Sequence, residues 1–147
     1  MKTSFVKTVL IIAVTAVTIF LSGRANAQTD APHFYFCESY TNGQEINVSN
    51  TFSTGYLTAM LDLRPTETTI GVRDVALEIT MIADEHGFYD SELVIDLVKF
   101  TVDPSWDYIY FTDEENLKFD KPGIYRVMLM KEPNQQVASG ILKITAK

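Results

Sequence analysis

From Tyr56 onward the chain alternates apolar and polar residues with a period of two. Between Tyr56 and Arg64, Leu57, Ala59, Leu61 and Leu63 fall on one face, while Thr58, Asp62 and Arg64 fall on the other. Successive strand residues point to opposite faces, so this run predicts a half-buried strand, and Pro65 ends it by removing a ladder donor. Val75 to Asp84 repeats the pattern, with Val75, Leu77, Ile79 and Met81 inward and a turn at Asp84-Glu85-His86-Gly87. From Leu93 to Val102 the alternation slips: Leu93 and Ile95 share one parity, Val98, Phe100 and Val102 the other. A bulge near Leu97 reconciles the halves, because one extra residue swaps the faces.

Asp103-Pro104-Ser105 turns the chain into Trp106 to Phe111. Further on, Tyr125, Val127 and Leu129 alternate with Arg126, Met128 and Met130. Ala138, Gly140, Leu142 and Ile144 alternate with Ser139, Lys143 and Thr145, and Pro133-Asn134 between the two runs signals a hairpin turn. With an early strand at Phe34 to Ser39 and a weaker one near Glu45 to Ser49, seven or eight short strands are expected. No helical stripe accompanies them. That pattern predicts an all-β fold, an antiparallel β-sandwich, with a small barrel as the competing architecture.

The N-terminus has a different texture. Lys2 and Lys7 precede an uninterrupted apolar run from Val9 to Leu21, and Ala25-Asn26-Ala27 supplies small residues for cleavage. The run is shorter than the roughly 20 residues needed to cross a bilayer, so residues 1–27 read as a secretory signal peptide. Arg24 stands where a bacterial lipoprotein carries its acylated cysteine, so no lipid anchor and no membrane insertion after cleavage are expected. Residues 28–32 form a short polar lead-in and residues 33–147 one domain. The expected location is periplasmic or secreted.

Cleavage removes three cations and no acid, leaving nine Lys and Arg against nineteen Asp and Glu, a charge of −10. Such acidity disfavours nucleic acid and anionic membrane surfaces as partners. The mature chain is long enough to bury a core without staples. Its lone Cys37 forms no intrachain disulfide and is expected as a small buried hydrophobe.

One local stretch carries a resemblance. Lys121-Pro122-Gly123-Ile124-Tyr125-Arg126-Val127 resembles the tyrosine corner of immunoglobulin-like sandwiches, with Gly two residues before the Tyr and a core residue two after. The resemblance implies that the Tyr125 hydroxyl bonds to backbone across the corner while its ring joins the core. Val127 stands where an antibody domain has its second cysteine, and no Trp lies at the matching distance upstream. The resemblance therefore extends to the generic immunoglobulin-like superfold and to no specific family, and a superfold implies no function.

Residues suited to chemistry are sparse. His33 and His86 are the only histidines, and neither stands in a nucleophile elbow or a metal-binding pair. Both read as exposed spectators, and no catalytic residue, metal or cofactor is expected. Asp113-Glu114-Glu115-Asn116 is the densest acidic cluster, with Asp84-Glu85 and Asp90 second, but both lack the spacing that wraps a loop around calcium. The unusual feature is Trp106-Asp107-Tyr108-Ile109-Tyr110-Phe111. If Ile109 and Phe111 face the core, then Trp106, Tyr108 and Tyr110 form an outward aromatic row suited to sugar stacking or a protein partner. The alternative for that row is packing under a loop or against an edge. The expected function is an exported non-catalytic binding or adaptor module of the bacterial cell envelope, contacting a protein or a glycan. The other classes are an assembly subunit pairing through sheet edges and an unrecognised hydrolase.

Overall fold

The long alternating runs pair with one another. β7 (Asp74–Asp84), β11 (Gly123–Lys131) and β12 (Gln135–Thr145) lie side by side, with β8 (Gly87–Thr101) outside β7 and β4 (Thr51–Ser53) outside β12. The order of this five-stranded sheet is β4-β12-β11-β7-β8. The structure is a computed structural model that describes residues 30–131 and 134–147, with the backbone alone at 90–92. The expected signal peptide, the start of the lead-in and Pro133 lie outside the described residues.

A second sheet of three strands has the order β1-β6-β9, built from β1 (His33–Cys37), β6 (Thr58–Asp62) and β9 (Tyr108–Thr112). Two further pairs are β2 (Ser39–Thr41) with β3 (Gln44–Ile46), and β5 (Gly55–Tyr56) with β10 (Lys118–Phe119). The protein is thus mostly β with largely antiparallel sheets. It departs from the expected seven or eight strands, because twelve are present among the described residues. Five of them are only two or three residues long, too short for alternation to reveal. Nor is the pairing wholly antiparallel: β4 runs parallel to β12, with Lys143 opposite Thr51 and Thr145 opposite Ser53.

The inward residues of both larger sheets meet in one core. Leu77, Ile79, Met81, Val127, Leu129, Leu142 and Ile144 come from the five-stranded sheet, while Ala59, Leu61, Ile109 and Phe111 come from the three-stranded one. Each large aliphatic buried this way contributes about 1.5–3 kcal/mol relative to exposure. Phe100 on β8 meets Phe111 on β9 edge to face, with ring centroids 5.2 Å apart. The inward positions of β7, β11 and β12 are therefore met, but Thr80 of β7, polar and on the opposite parity, is fully buried as well. β8 carries two register shifts against β7: Ile95 is skipped where Ile79 faces Asp96 and Thr80 faces Val94, two positions before the expected bulge, and a second shift falls between Met81 and Ala83.

β6 is not half-buried, as the alternation predicted. Thr58 and Met60 are as buried as Ala59 and Leu61, so this strand is covered on both faces. At the corner before β11, the Tyr125 hydroxyl donates to the Lys121 carbonyl at 2.7 Å, and its buried ring meets Phe119 edge to face at 5.1 Å. Gly123 permits this corner to close, because a Cβ placed there would lie 2.6 Å from the Ala83 carbonyl oxygen of β7.

The obstruction at Gly123 is backbone, which has no rotamer to yield. Gly123→Ala is expected to destabilise the fold by about 1–3 kcal/mol, the usual cost of overpacking, in a urea titration. A midpoint unchanged from wild type would show that the β7–β11 corner is looser than described.

Candidate functional site

Ile109 and Phe111 are each 1% exposed and point into the core, which turns Tyr108 and Tyr110 to the outer face of the three-stranded sheet. The register places Met60 between Tyr35 and Tyr110, and Asp62 between His33 and Tyr108. Trp106 precedes β9 and lies in the turn: its N–H donates to the Asp103 carbonyl, and its own carbonyl accepts from Ile70 N–H. Its side chain is half exposed, as is Tyr110. The three residues singled out by alternation are therefore neighbours along the chain, but only Tyr108 and Tyr110 belong to the strand.

The β2–β3 hairpin covers much of this face. Its turn is Asn42-Gly43, both with positive φ (52° and 76°), the backbone that tight two-residue hairpins require. The hairpin carries Tyr40 and Glu45 onto the sheet. Tyr40 stacks at a tilt on Tyr110 with centroids 4.6 Å apart, and meets Tyr108 edge to face at 6.4 Å. One oxygen of Glu45, Oε1, accepts from the Tyr35 hydroxyl at 2.6 Å and from the Tyr108 hydroxyl. The two phenol oxygens are 3.4 Å apart.

Burial, followed by donation to Glu45, pushes the Tyr35 and Tyr108 phenols above the ordinary tyrosine range. Both are held as neutral donors. Beside them, Arg64 grips Asp62 with two bonds, Nε to Oδ1 at 2.8 Å and Nη2 to Oδ2 at 2.7 Å. The Arg64 guanidinium also lies 4.3 Å from the Tyr108 ring centroid, within cation–π reach. This hydrogen bonding from Arg64 lowers the Asp62 carboxyl below its usual range. Arg64 itself is exposed, so the ion pair orients the guanidinium more than it stabilises the fold.

The remaining candidates lie apart from this cluster. Cys37 is fully buried, donates its thiol to the Ser39 carbonyl at 3.3 Å, and is pushed up in pKa chiefly by burial. His33 and His86 are exposed. Asp113 is engaged by its own turn, with Oδ1 accepting from the N–H groups of Glu115 and Asn116, and Oδ2 accepting from Asn116 Nδ2. No group of three or more His, Cys, Asp or Glu that could hold a metal occurs among the described residues. A surface depression of about 750 Å³ alongside β7 and β8, with Arg73, Lys99 and Phe100 in its lining, does not touch the tyrosine cluster.

Sequence reasoning missed Tyr35, Tyr40, Glu45 and Arg64. Asn42-Gly43 was the available signal, since that dipeptide marks a tight hairpin. It also missed the exposure of β8, where Leu93, Val94, Ile95 and Leu97 are each about half exposed. No family model matches the chain, and no characterised protein matches it in sequence.

Two outcomes follow from the Glu45 cluster. Tyr35→Phe and Tyr108→Phe each remove a hydrogen bond to a charged acceptor and should cost about 1–3 kcal/mol by chemical denaturation. The pH dependence has a definite sign. A phenol whose folded pKa is raised keeps its proton after the unfolded chain, at about 10, has lost it. Its contribution is fully present below pH 10 and is lost as pH rises through the folded value. Tyr125, pushed up to about 12 chiefly by burial, acts in the same direction. Unfolding curves should show falling stability from pH 10 upward, accompanied by late-ionising tyrosines in the ultraviolet titration. A single titration near pH 10 with flat stability would contradict the buried cluster.

Proposed function

We propose that the chain is an exported, non-catalytic binding or adaptor module of the bacterial cell envelope, periplasmic or secreted, built as an immunoglobulin-like β-sandwich. The core shared by the two larger sheets and the bond from Tyr125 to Lys121 support the architecture. The leader at residues 1–27 supports export, and the charge of −10 on the remainder argues against nucleic acid and membrane surfaces. The non-catalytic reading is supported by the state of the candidate nucleophiles: the Tyr35, Tyr108 and Cys37 groups are all raised in pKa, the opposite of activation.

The observation that carries the binding reading is the aromatic ledge. Tyr110 is half exposed, is backed by Tyr40, and stands on the same face two residues beyond Tyr108, which is locked by Glu45. Trp106 is half exposed on a backbone held at both its N–H and its carbonyl. Rings and an oriented Arg64 on a rigid base lose little entropy on binding, and Trp, Tyr and Arg are the residues that dominate protein interfaces. An envelope protein is the preferred partner, with a glycan stacked on the same rings as the alternative ligand. A second reading, assembly through a sheet edge, is favoured by the exposed aliphatics of β8.

Trp106 is the sole tryptophan and reports directly on the ledge. Titration with solubilised envelope proteins and, separately, with cell-wall glycan fragments should give a saturable shift in its fluorescence with one of them. Tyr110→Ala should weaken that response about tenfold or more, the scale of an interface anchor, with the circular dichroism unchanged. Silence with every ligand, or wild-type affinity in Tyr110→Ala, would sink this reading.

A further inference from the structure

β8 is the longest strand, with 15 residues, and it stands last in the five-stranded sheet. Its outer side has no neighbouring strand among the described residues. Edge strands are normally blunted by shortness, proline or lysine. β8 is long, contains no proline, and has a single lysine, Lys99, near its end. Leu93, Val94, Ile95 and Leu97 are each 47–55% exposed, so both faces of its middle segment are apolar and open. Ile95 has no partner on β7, which breaks the ladder within this segment.

We propose that this edge accepts an extended segment of a partner protein in which apolar residues alternate with lysine or arginine. The proposal rests on the edge-assembly reading and names its partner. Main-chain bonding to the free edge supplies affinity, and alternate side chains supply selectivity. Charge selects the occupant. Between Asp74 and Thr101 stand seven acids against one base, and three of the acids, Asp90, Glu92 and Asp96, are on β8 itself. A second copy would bring a second exposed Asp96 to the joint and a further −10 overall, and like charges paired across strands are destabilising. A cationic, apolar strand meets both properties of the edge.

The test uses the purified exported protein and two nine-residue probes, one alternating valine with lysine and the other valine with glutamate. The lysine peptide should bind, protect β8 amides from hydrogen exchange, and weaken about tenfold as salt is raised, because the attraction is screened. The glutamate peptide should not bind. Leu97→Lys should abolish binding, whereas Val48→Lys, an equally exposed apolar site off β8, should not, and both should retain wild-type circular dichroism. Equal binding of the two probes, or binding indifferent to Leu97→Lys, overturns the proposal. A concentration-dependent dimer lost in Leu97→Lys also overturns the cationic partner while leaving edge assembly standing. Absence of both peptide binding and dimer, with β8 amides exchanging freely, removes edge assembly as well.

Discussion

A single carboxylate oxygen organises the outer face of the three-stranded sheet. Glu45 Oε1 receives the hydroxyls of Tyr35 on β1 and Tyr108 on β9, and so ties the β2–β3 hairpin to both outer strands of that sheet at once. The central strand β6 lies beneath this clasp, which is why Thr58 and Met60 are buried although the opposite face of the strand already lines the core. Cys37 is sealed by the same cover. A carboxylate so placed needs donors, and two phenols of raised pKa supply them without adding charge. The clasp also sets Tyr40 against Tyr110, and the exposed part of that pair is the ledge on which the binding proposal stands.

The five-stranded sheet treats its surface in the opposite way. Its inner face is filled with aliphatics, but no hairpin covers the edge at β8 among the described residues, and large apolar side chains there meet water. Acids are concentrated along the same stretch of chain, seven from Asp74 to Asp96, and charge is one of the means by which edge strands are kept from pairing. The molecule thus presents two surfaces of different character: a preorganised aromatic ledge on one sheet and an acidic, apolar strand edge on the other.

The strands that were legible in the sequence are those with one wet face and one dry face. Val75 to Met81 and Tyr125 to Leu129 alternate because one side of β7 and β11 lines the core, and burial follows that alternation except at Thr80, which is buried on the other parity. β6 was misread for the converse reason: Thr58 is polar yet buried, and a period of two carries no information about a hairpin that folds over from elsewhere. Trp106 was placed in the aromatic row by parity alone, but the Asp103-Pro104-Ser105 turn extends through it and the strand begins at Tyr108. Tyr35 and Glu45 lie ten residues apart and meet only because Asn42-Gly43 reverses the chain. Their pairing with Tyr108, 63 residues beyond Glu45, is a property of the assembled sheet and has no local signature.

Hydrogen exchange of the Glu45→Gln protein tests the clasp most directly, since it replaces the charged acceptor with one of equal size. The account predicts that the amides of β2, β3 and the outer strand β1 exchange faster than in wild type, while those of β7, β11 and β12 keep their protection. Unchanged protection in the hairpin, or uniform loss across both sheets, would contradict a local clasp at Glu45.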